Sequence, residues 1–512
     1  MRPIEHLYHR AEQSPNAIAT AGPGEPFTYR RLLTAVHALA AALQSLDAEP
    51  ASRVGICARN TVEHLIALLA TYAAGKVWVP LAPNNSRADL DRMIGATRPT
   101  LFVADESCLD RFTPPTGAPI VLGKTTGPPG ERPSVRGLIG EWNGRRPVMI
   151  ARDDRDAQII KFSGGSTGAP KPVVQSLRCV SAQIEGILAC FELDAGDVNL
   201  IAAPLTHGAS CFVLPILSVG GRHVLLEEPK APRVLDTIEK YSVTTMYAPP
   251  TLIYSMLDDP TVTTRHYGSL RHLIYSAAPM RPEQIREAQR VFGPVIETAY
   301  GQVEAPQIIT AMRARELEHD ENLTSIGRPS SVAEVGIMSP TGDLLPNGET
   351  GEIVVRGPLV MNGYLDRPDM TAQTIVDGWL HTGDLGMRDD RGYVFIRGRL
   401  RELINTGGFK VFPGDVEAVL AKHPAVAECS VFGVPDEKWG EAVHAAVRVL
   451  DGAAVTAPEI IAFVKAELGS VKAPKAIHFV SALPRNAAGK VSRASVRAMV
   501  EASDLVSRGQ SP

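Results

Sequence analysis

Helical and strand periods alternate through the first hundred residues of this chain, and the alternation narrows the available folds sharply. "YRRLLTAVHALAAALQSL" (29–46) repeats apolar residues at helical spacing, and "SRVGICA" (52–58) reads as a short buried strand. "TVEHLIALLATYAAG" (61–75) is a second helix closing at Gly75, and "KVWVPLAP" (76–83) a strand closing at proline. Such a rhythm predicts a layered α/β domain with a largely parallel sheet. It is interrupted over 106–148, where "TPPTGAPIVLGKTTGPPGERP" (113–133) reads as a proline- and glycine-rich surface excursion. It then resumes to about residue 330, before hairpin text, "AEVGIMSPTGDLLPNGETGEIVVRG" (333–357), with a "PNGE" turn.

At 512 residues the chain exceeds what one core serves. From 403 a smaller unit begins. "PGDVEAVLAKHP" and "APEIIAFVKAEL" read as helices, and "AECSVFGV", "EAVHAAVRVL" and "AIHFVSAL" as strands. The expected fold class is therefore α/β, a large N-terminal domain of several subdomains with mostly parallel sheets plus a small α+β C-terminal domain. The expected boundaries are 1–398 and 403–512, joined through the short charged stretch at 399–402, which has the character of a hinge.

A net charge of −4 offers no overall attraction to nucleic acid or to an anionic membrane. The six cysteines show no C-x-x-C pair or zinc-type spacing, which favours reduced thiols over a disulfide framework. "MRPIEHLYHRAEQSPNA" lacks the apolar core of a secretory signal. The most apolar run, "HLIALLATYAAGKVWVPLA", is broken by Lys76. The expectation is a cytoplasmic enzyme, monomeric or homodimeric.

One stretch looks made for an anion: "KFSGGSTGAPKPV" (161–173). Gly164, Gly165 and Gly168 allow positive φ and close backbone approach, and successive N–H groups in such turns form an anion nest. Ser163, Ser166 and Thr167 add hydroxyls, and Lys171 adds a point charge suited to phosphate. It is not a Walker loop, because Pro170 precedes the lysine and Pro172 follows it. On its own the stretch reads either as a ligand loop or as a flexible surface turn.

The rest of the chain carries a resemblance that separates the two. "SGGSTGAPK" resembles the phosphate loop of the adenylate-forming superfamily, which contains acyl-CoA synthetases, carrier-loading adenylation domains and luciferases. "YSAAPM" (275–280), "AYGQVEAP" (299–306), "GWLHTGDLG" (378–386), "IRGRLRELINTGGFKVFPGDVE" (396–417) and "LPRNAAGKVSR" (483–493) follow in that family's order and spacing. The resemblance covers essentially the whole chain. It implies activation of a carboxylic acid by ATP to an acyl-adenylate, with release of pyrophosphate, and then transfer to coenzyme A.

The resemblance also implies roles for particular residues. Ser163, Gly164, Gly165, Ser166, Thr167, Gly168 and Lys171 would hold the β- and γ-phosphates, and Thr167 and Glu304 would serve Mg²⁺. Ala277, Ala278, Pro279, Tyr300, Gly301 and Gln302 would border the adenine, and Asp384 and Arg399 the ribose. Lys490, on a mobile small domain, would bridge the acid carboxylate and the α-phosphate, so that it acts with Glu304 and His207 in the chemistry. Arg401 would be the hinge and Gly408 would line the pantetheine tunnel. Lys410, Arg401 or Lys472 would meet the phosphates of coenzyme A. Taken without the resemblance, Asp384 reads as a turn former, Tyr300 as core and Lys490 as a solvated lysine.

The chain departs from the family pattern at three points. Val303 replaces the usual threonine and removes a hydroxyl donor to the α-phosphate, for which Gln302 is the candidate replacement. Gly164 stands for a commoner serine and Pro172 for a glycine. His207, in "APLTHGAS" (203–210), has the family's gate-like position, and Tyr247 and Ser276 are further pocket candidates. No acidic residue in "HGAS" is available to pair with an α-ammonium, which argues against amino acids. A modest aryl, alicyclic or short-to-medium acyl acid fits best. The competing expectations are an enzyme that loads a phosphopantetheinyl carrier protein or another nucleophile, and a silent nucleotide-binding scaffold, the latter motivated by Val303.

Overall fold

The computed structural model describes residues 1–22, 24–125, 127, 130, 132–163, 170–450, 452–485 and 491–508. The chain divides into two compact units: 1–335 with 354–381 and 391–394, and 336–353 with 382–390 and 395–512.

In the larger unit the early alternation becomes strands and helices as the periods predict. Helix Tyr29–Leu46 is capped by the Thr28 side chain, which accepts from the Arg31 N–H, and it buries Leu32, Val36, Leu39 and Leu43. Helix Val62–Ala73 is capped in the same way by Thr61 and gives way to Gly75, whose φ of +68° stops the helix. One sheet runs in the order Gly363–Tyr364, Lys171–Ser176, Ala157–Ser163, Val77–Pro80, Arg53–Cys57, Leu101–Ala104, Ile120–Leu122. Its strands are parallel from Ala157–Ser163 onward, and the first two are antiparallel additions.

A second sheet of the same unit runs Ser325–Pro329, Thr310–Met312, Ile296–Tyr300, His272–Tyr275, Thr245–Ala248, Val198–Ile201, Arg222–Leu225, Ile18–Ala21, Phe27–Thr28. From Ile296–Tyr300 to Ile18–Ala21 all neighbours are parallel. Strands such as Val198–Ile201, Thr245–Ala248 and His272–Tyr275 are buried along their whole length. That is why they read as unbroken apolar runs rather than alternating ones.

Within 106–148 regular elements stand where the proline and glycine content predicts a surface excursion. Ile120–Leu122 adds a parallel edge strand, register Val103↔Val121, and Ser134 caps the helix Val135–Glu141. Asp105 secures the return of the chain by accepting the Lys124 N–H at 2.8 Å through Oδ1.

The smaller unit holds a sheet in the order Phe409–Val411, Ile404–Thr406, Gly440–Val449, Val426–Asp436, with Ala476–Phe479 parallel to Gly440–Val449. Helices Pro413–Leu420 and Ala457–Lys472 contribute Val416, Leu420, Ile460 and Val464 to a core with Val431, Val443 and Val447. Helix Arg493–Arg508 packs Val496 and Val500 against Phe432 and Leu483. All six cysteines are free thiols. Among the described residues no helix is long and apolar enough to cross a membrane.

Candidate active site

Four of the segments singled out in the sequence leave the carboxyl ends of neighbouring parallel strands. His207 follows Val198–Ile201, Tyr247 ends Thr245–Ala248, Ser276 to Pro279 follow His272–Tyr275, and Glu304 follows Ile296–Tyr300. The register Ala248↔Tyr275 and Tyr275↔Thr298 brings these ends level. The carboxyl edge of a parallel sheet is where α/β proteins form ligand crevices.

Ser163 pairs with Lys171 across an antiparallel hairpin. Gly164, Gly165, Ser166, Thr167 and Gly168 in its loop lie outside the described residues, as does Lys490. The Lys171 ammonium stands 5.4 Å from the centre of the Tyr364 ring, within range of a cation–π attraction. The Tyr364 hydroxyl donates to Glu304 Oε1 at 2.9 Å. Tyr364 is held in turn by the pairing Tyr364↔Val173 and by its N–H donating to Thr371 Oγ1 at 2.9 Å. One aromatic ring thus links the lysine expected at the phosphate tail to the glutamate expected at Mg²⁺. Sequence reasoning missed Tyr364, whose only signal is an aromatic after glycine in "NGYLDRP".

The other Glu304 oxygen takes no hydrogen bond among the described residues. A carboxylate oxygen left open in this way would suit Mg²⁺, which is commonly held by one or two carboxylates plus substrate phosphates. The Glu304 backbone is pinned by the Met361 N–H at 2.8 Å. The adjacent Val303 carbonyl accepts Gln175 Nε2 at 2.8 Å.

At the adenine-side candidates, Gly301 cannot be replaced, since a Cβ there would lie 2.4 Å from the Gln307 nitrogen. Ala277 adopts φ +75°, an uncommon conformation for a residue with a Cβ. Ala278 is half-buried and Pro279 exposed, and Tyr300 is half-buried at its strand end. Gln302 Nε2 lies 3.5 Å from the Tyr300 hydroxyl, so its amide faces that ring.

The acid-side candidates come together. Tyr247 stacks on Phe212 with ring centres 5.6 Å apart and hydrogen-bonds Ser276. Gly208 lies so close that a Cβ would meet the Tyr247 hydroxyl at 2.5 Å. His207 Nδ1 shares a 2.9 Å hydrogen bond with Thr206 Oγ1. The His207 side chain is open to solvent yet crowded by neighbouring protein groups. That crowding, together with the Lys161 ammonium, holds its imidazole down to about 4, so it is neutral at physiological pH.

In the smaller unit Arg399 Nε stands 3.3 Å from Asp384 Oδ1. Gly383 turns the chain at φ +71° and donates its N–H to Glu352 at 2.8 Å. Arg401 lies exposed on the turn Leu400–Glu402. Gly408, at φ +82°, and Gly407 close the hairpin between Ile404–Thr406 and Phe409–Val411, with Lys410 exposed on its return strand. Lys472 is tied to Asp415 at 2.9 Å.

A lysine and a carboxylate joined through one aromatic ring are the charged groups of the candidate site, and comparison with known proteins places the chain. The AMP-binding enzyme family matches residues 7–365, and the AMP-binding enzyme C-terminal domain matches 415–490. The chain belongs to the AMP-binding enzyme family. It is 41% identical over 360 residues to the medium/long-chain-fatty-acid–CoA ligase FadD8 of Mycobacterium tuberculosis, covering 68% of this chain and 63% of that protein. The match therefore spans less than two thirds of that relative. It is 31% identical to a feruloyl-CoA synthase of an Amycolatopsis species, over 95% of this chain and 97% of the relative. The solved amide bond synthetase McbA of Marinactinospora thermotolerans superposes with a TM-score of 0.86 at 30% identity, covering 97% of this chain and 99% of that one.

Proposed function

We propose that this protein is an AMP-forming acid–CoA ligase. A carboxylate oxygen of the acid attacks the α-phosphorus of ATP, the bond to the β-phosphate oxygen breaks, and pyrophosphate leaves. The thiol of coenzyme A then attacks the acyl carbon, the bond to AMP breaks, and the thiol proton is released. Family membership and the two CoA-ligase relatives support the reading. The single structural observation that carries it is the Lys171–Tyr364–Glu304 chain.

Both reactants are anionic, so the barrier is mostly electrostatic and catalysis rests on placed cations and donors. Lys171 and the 163–168 loop hold the phosphates that depart. Mg²⁺, when bound at Glu304, supplies charge that offsets the crowded phosphate oxygens. Tyr364 orients the Glu304 carboxylate. Tyr300, Gly301, Gln302 and Ala277 to Pro279 border the base, and Asp384, braced by Arg399, accepts from the ribose hydroxyls. Lys490 meets the acid carboxylate and α-phosphate as they join. The 399–402 segment about Arg401 is the hinge between domains 1–398 and 403–512, and Gly408 lines the thiol path. Neutral His207, Tyr247 and Ser276 border an acid of aryl, alicyclic or short-to-medium acyl type. Free thiols and the absence of a membrane-length helix among the described residues are consistent with work in the cytoplasm.

A second acceptor class is favoured by one observation: a structural neighbour of nearly full coverage is named an amide bond synthetase. In that reading the adenylate goes to a carrier thiol or an amine instead of coenzyme A. The test is acid-dependent exchange of labelled pyrophosphate into ATP over a panel of acids, then acceptor swapping on each responding acid. Exchange followed by acyl-CoA formation upholds the ligase. Exchange without coenzyme A use moves the assignment to the second class, and no exchange with any acid by folded protein overturns both.

A further inference from the structure

Lys161 is a buried lysine that the reaction above does not use. It sits in the strand Ala157–Ser163, and the residue is only 8% exposed. Its ammonium donates to the His207 carbonyl at 3.2 Å and to Ser210 Oγ at 2.9 Å, and it lies 5.3 Å from the centre of the buried Trp78 ring. The Ser210 hydroxyl donates in turn to the His207 carbonyl at 2.8 Å. Lys161, Ser210 and the His207 backbone therefore close a triangle around one carbonyl oxygen. Taking an ammonium out of water is costly, and a charged donor makes a stronger hydrogen bond than a neutral one. A neutral donor would satisfy the same carbonyl with less desolvation, so the charge points to a demand on where that carbonyl stands.

The His207 backbone needs such a tie. At φ −120° and ψ −140° it belongs to neither helix nor strand, so no ladder fixes the turn that enters Gly208–Phe212. Tyr247 packs the same turn, stacking on Phe212 and leaving no room for a Cβ at Gly208. Lys161 reaches it from the other sheet, since Ala157–Ser163 and Val198–Ile201 belong to different sheets of the larger unit. Residues two apart on a strand share a face, and across their hairpin Lys161 stands opposite Val173 and Ser163 opposite Lys171. One face of one strand thus carries the ammonium that holds the His207 turn and, two positions on, the residue where the expected phosphate loop begins.

We propose that Lys161 is a positioning residue of the acid site: through the His207 carbonyl and Ser210 it holds the 207–210 turn, and so the His207 imidazole, in fixed relation to the strand that leads into the phosphate loop. The inference rests on the acid-ligase reading, in which His207 borders the acid, and adds to it the group that keeps His207 in place. Lys161 itself touches no substrate. Its loss frees the turn to shift, and a shift of the His207 ring weakens acid binding without disturbing the nucleotide.

The test compares wild type, Lys161→Met, His207→Gln and the double variant as full chains in acid-dependent pyrophosphate exchange. The panel includes hexanoate, benzoate and 4-hydroxybenzoate, and the member that wild type uses fastest is the probe. Lys161→Met keeps the apolar stem and removes the donor. It is expected to raise KM for the acid about tenfold, the worth of a hydrogen bond from a charged group, with KM for ATP within about twofold. In the His207→Gln background the same substitution is expected to change the acid KM by less than about twofold, because the side chain through which it acts is gone. An unchanged acid KM in Lys161→Met, equal factors in both backgrounds, or a KM for ATP raised as much as that for the acid overturns the inference while leaving the ligase standing. Should Lys161→Met fail to fold, Ser210→Ala decides by the same criteria, with an expected rise in acid KM of about threefold that disappears beside His207→Gln. Absence of exchange with every acid by folded wild type overturns the ligase reading and this inference with it.

Discussion

The Tyr364 hydroxyl donates to Glu304 at 2.9 Å while its ring lies 5.4 Å from the Lys171 ammonium, so one side chain fixes two groups of opposite charge. Tyr364 enters the sheet through pairing with Val173, two residues past the lysine. The strand that carries the lysine thereby also sets where the glutamate's partner stands. One Glu304 oxygen is thereby committed to Tyr364, and the other takes no hydrogen bond among the described residues.

Tyr364→Phe keeps the ring beneath Lys171 and deletes only the donor. The acid-dependent exchange rate is expected to fall about tenfold, the worth of a hydrogen bond to a charged group. The Mg²⁺ concentration for half-maximal rate is expected to rise with it, and the melting temperature to move little. A Mg²⁺ titration of both proteins checks this. A lowered melting temperature with an unchanged Mg²⁺ requirement would show that Tyr364 only packs.

Val303 offers the converse experiment. Its carbonyl is fixed by Gln175 and its side chain is half-buried, so a hydroxyl can be introduced without a sealed apolar wall around it. Val303→Thr is expected to raise the exchange rate about threefold to tenfold by restoring a donor toward the α-phosphate. Steady-state exchange at saturating ATP and acid measures it. No gain would mean that another donor, with Gln302 the neighbour to examine first, already serves the phosphate.

What the sequence disclosed and what it hid follow from one distinction. Strands buried on both faces and helices with capping threonines announce themselves locally, so the α/β order of the larger unit and the elements of the smaller one were legible from period alone. The edge strand Ile120–Leu122 was not, because three residues carry no period and the surrounding prolines read as loop. Tyr364 escaped for a different reason. Its importance comes from pairing with a strand almost two hundred positions earlier, and no local pattern encodes that register. Lys161 did leave a trace, an ionisable residue inside the apolar run "AQIIKF", but its partners, the His207 carbonyl and Ser210 Oγ, are visible only in three dimensions.

His223 ties stability to pH. Its Nε2 lies 3.1 Å from the Val213 carbonyl and its Nδ1 3.1 Å from the Asn199 amide nitrogen, so the network selects the neutral ring with the proton on Nε2. Burial pushes the imidazole down to about 4. The unfolded chain therefore takes up this proton first as pH falls, and the histidine's contribution is kept above about 6.5 and lost progressively toward about 4. Burial pushes Asp105 up to about 6, which acts with the opposite sign, so the comparison is made against His223→Asn. The stability advantage of wild type over that variant is expected to shrink by on the order of 2 kcal/mol between pH 7 and pH 5. Urea unfolding at both pH values measures it, and a constant gap would contradict the assignment.

Gly407 and Gly408 share a two-residue hairpin turn, Thr406 pairing with Phe409, and both adopt positive φ, +56° and +82°. Their surroundings differ. A Cβ on Gly407 would lie 2.8 Å from the Trp439 ring, whereas one on Gly408 would meet open space. Gly407 also donates its N–H to the Trp439 carbonyl at 2.7 Å. Alanine at Gly407 therefore combines backbone strain with a clash, and Gly407→Ala is expected to lower the melting temperature more than Gly408→Ala, which carries a backbone cost of about 1 kcal/mol alone. If Gly408 borders the thiol path, Gly408→Ala should leave pyrophosphate exchange within about twofold and slow acyl-CoA formation about tenfold, because the new methyl group displaces the incoming thiol from its attack position. Measuring the two half-reactions separately on both variants decides the matter. Equal loss of both steps in Gly408→Ala would assign that glycine to folding of the hairpin and remove it from the thiol path.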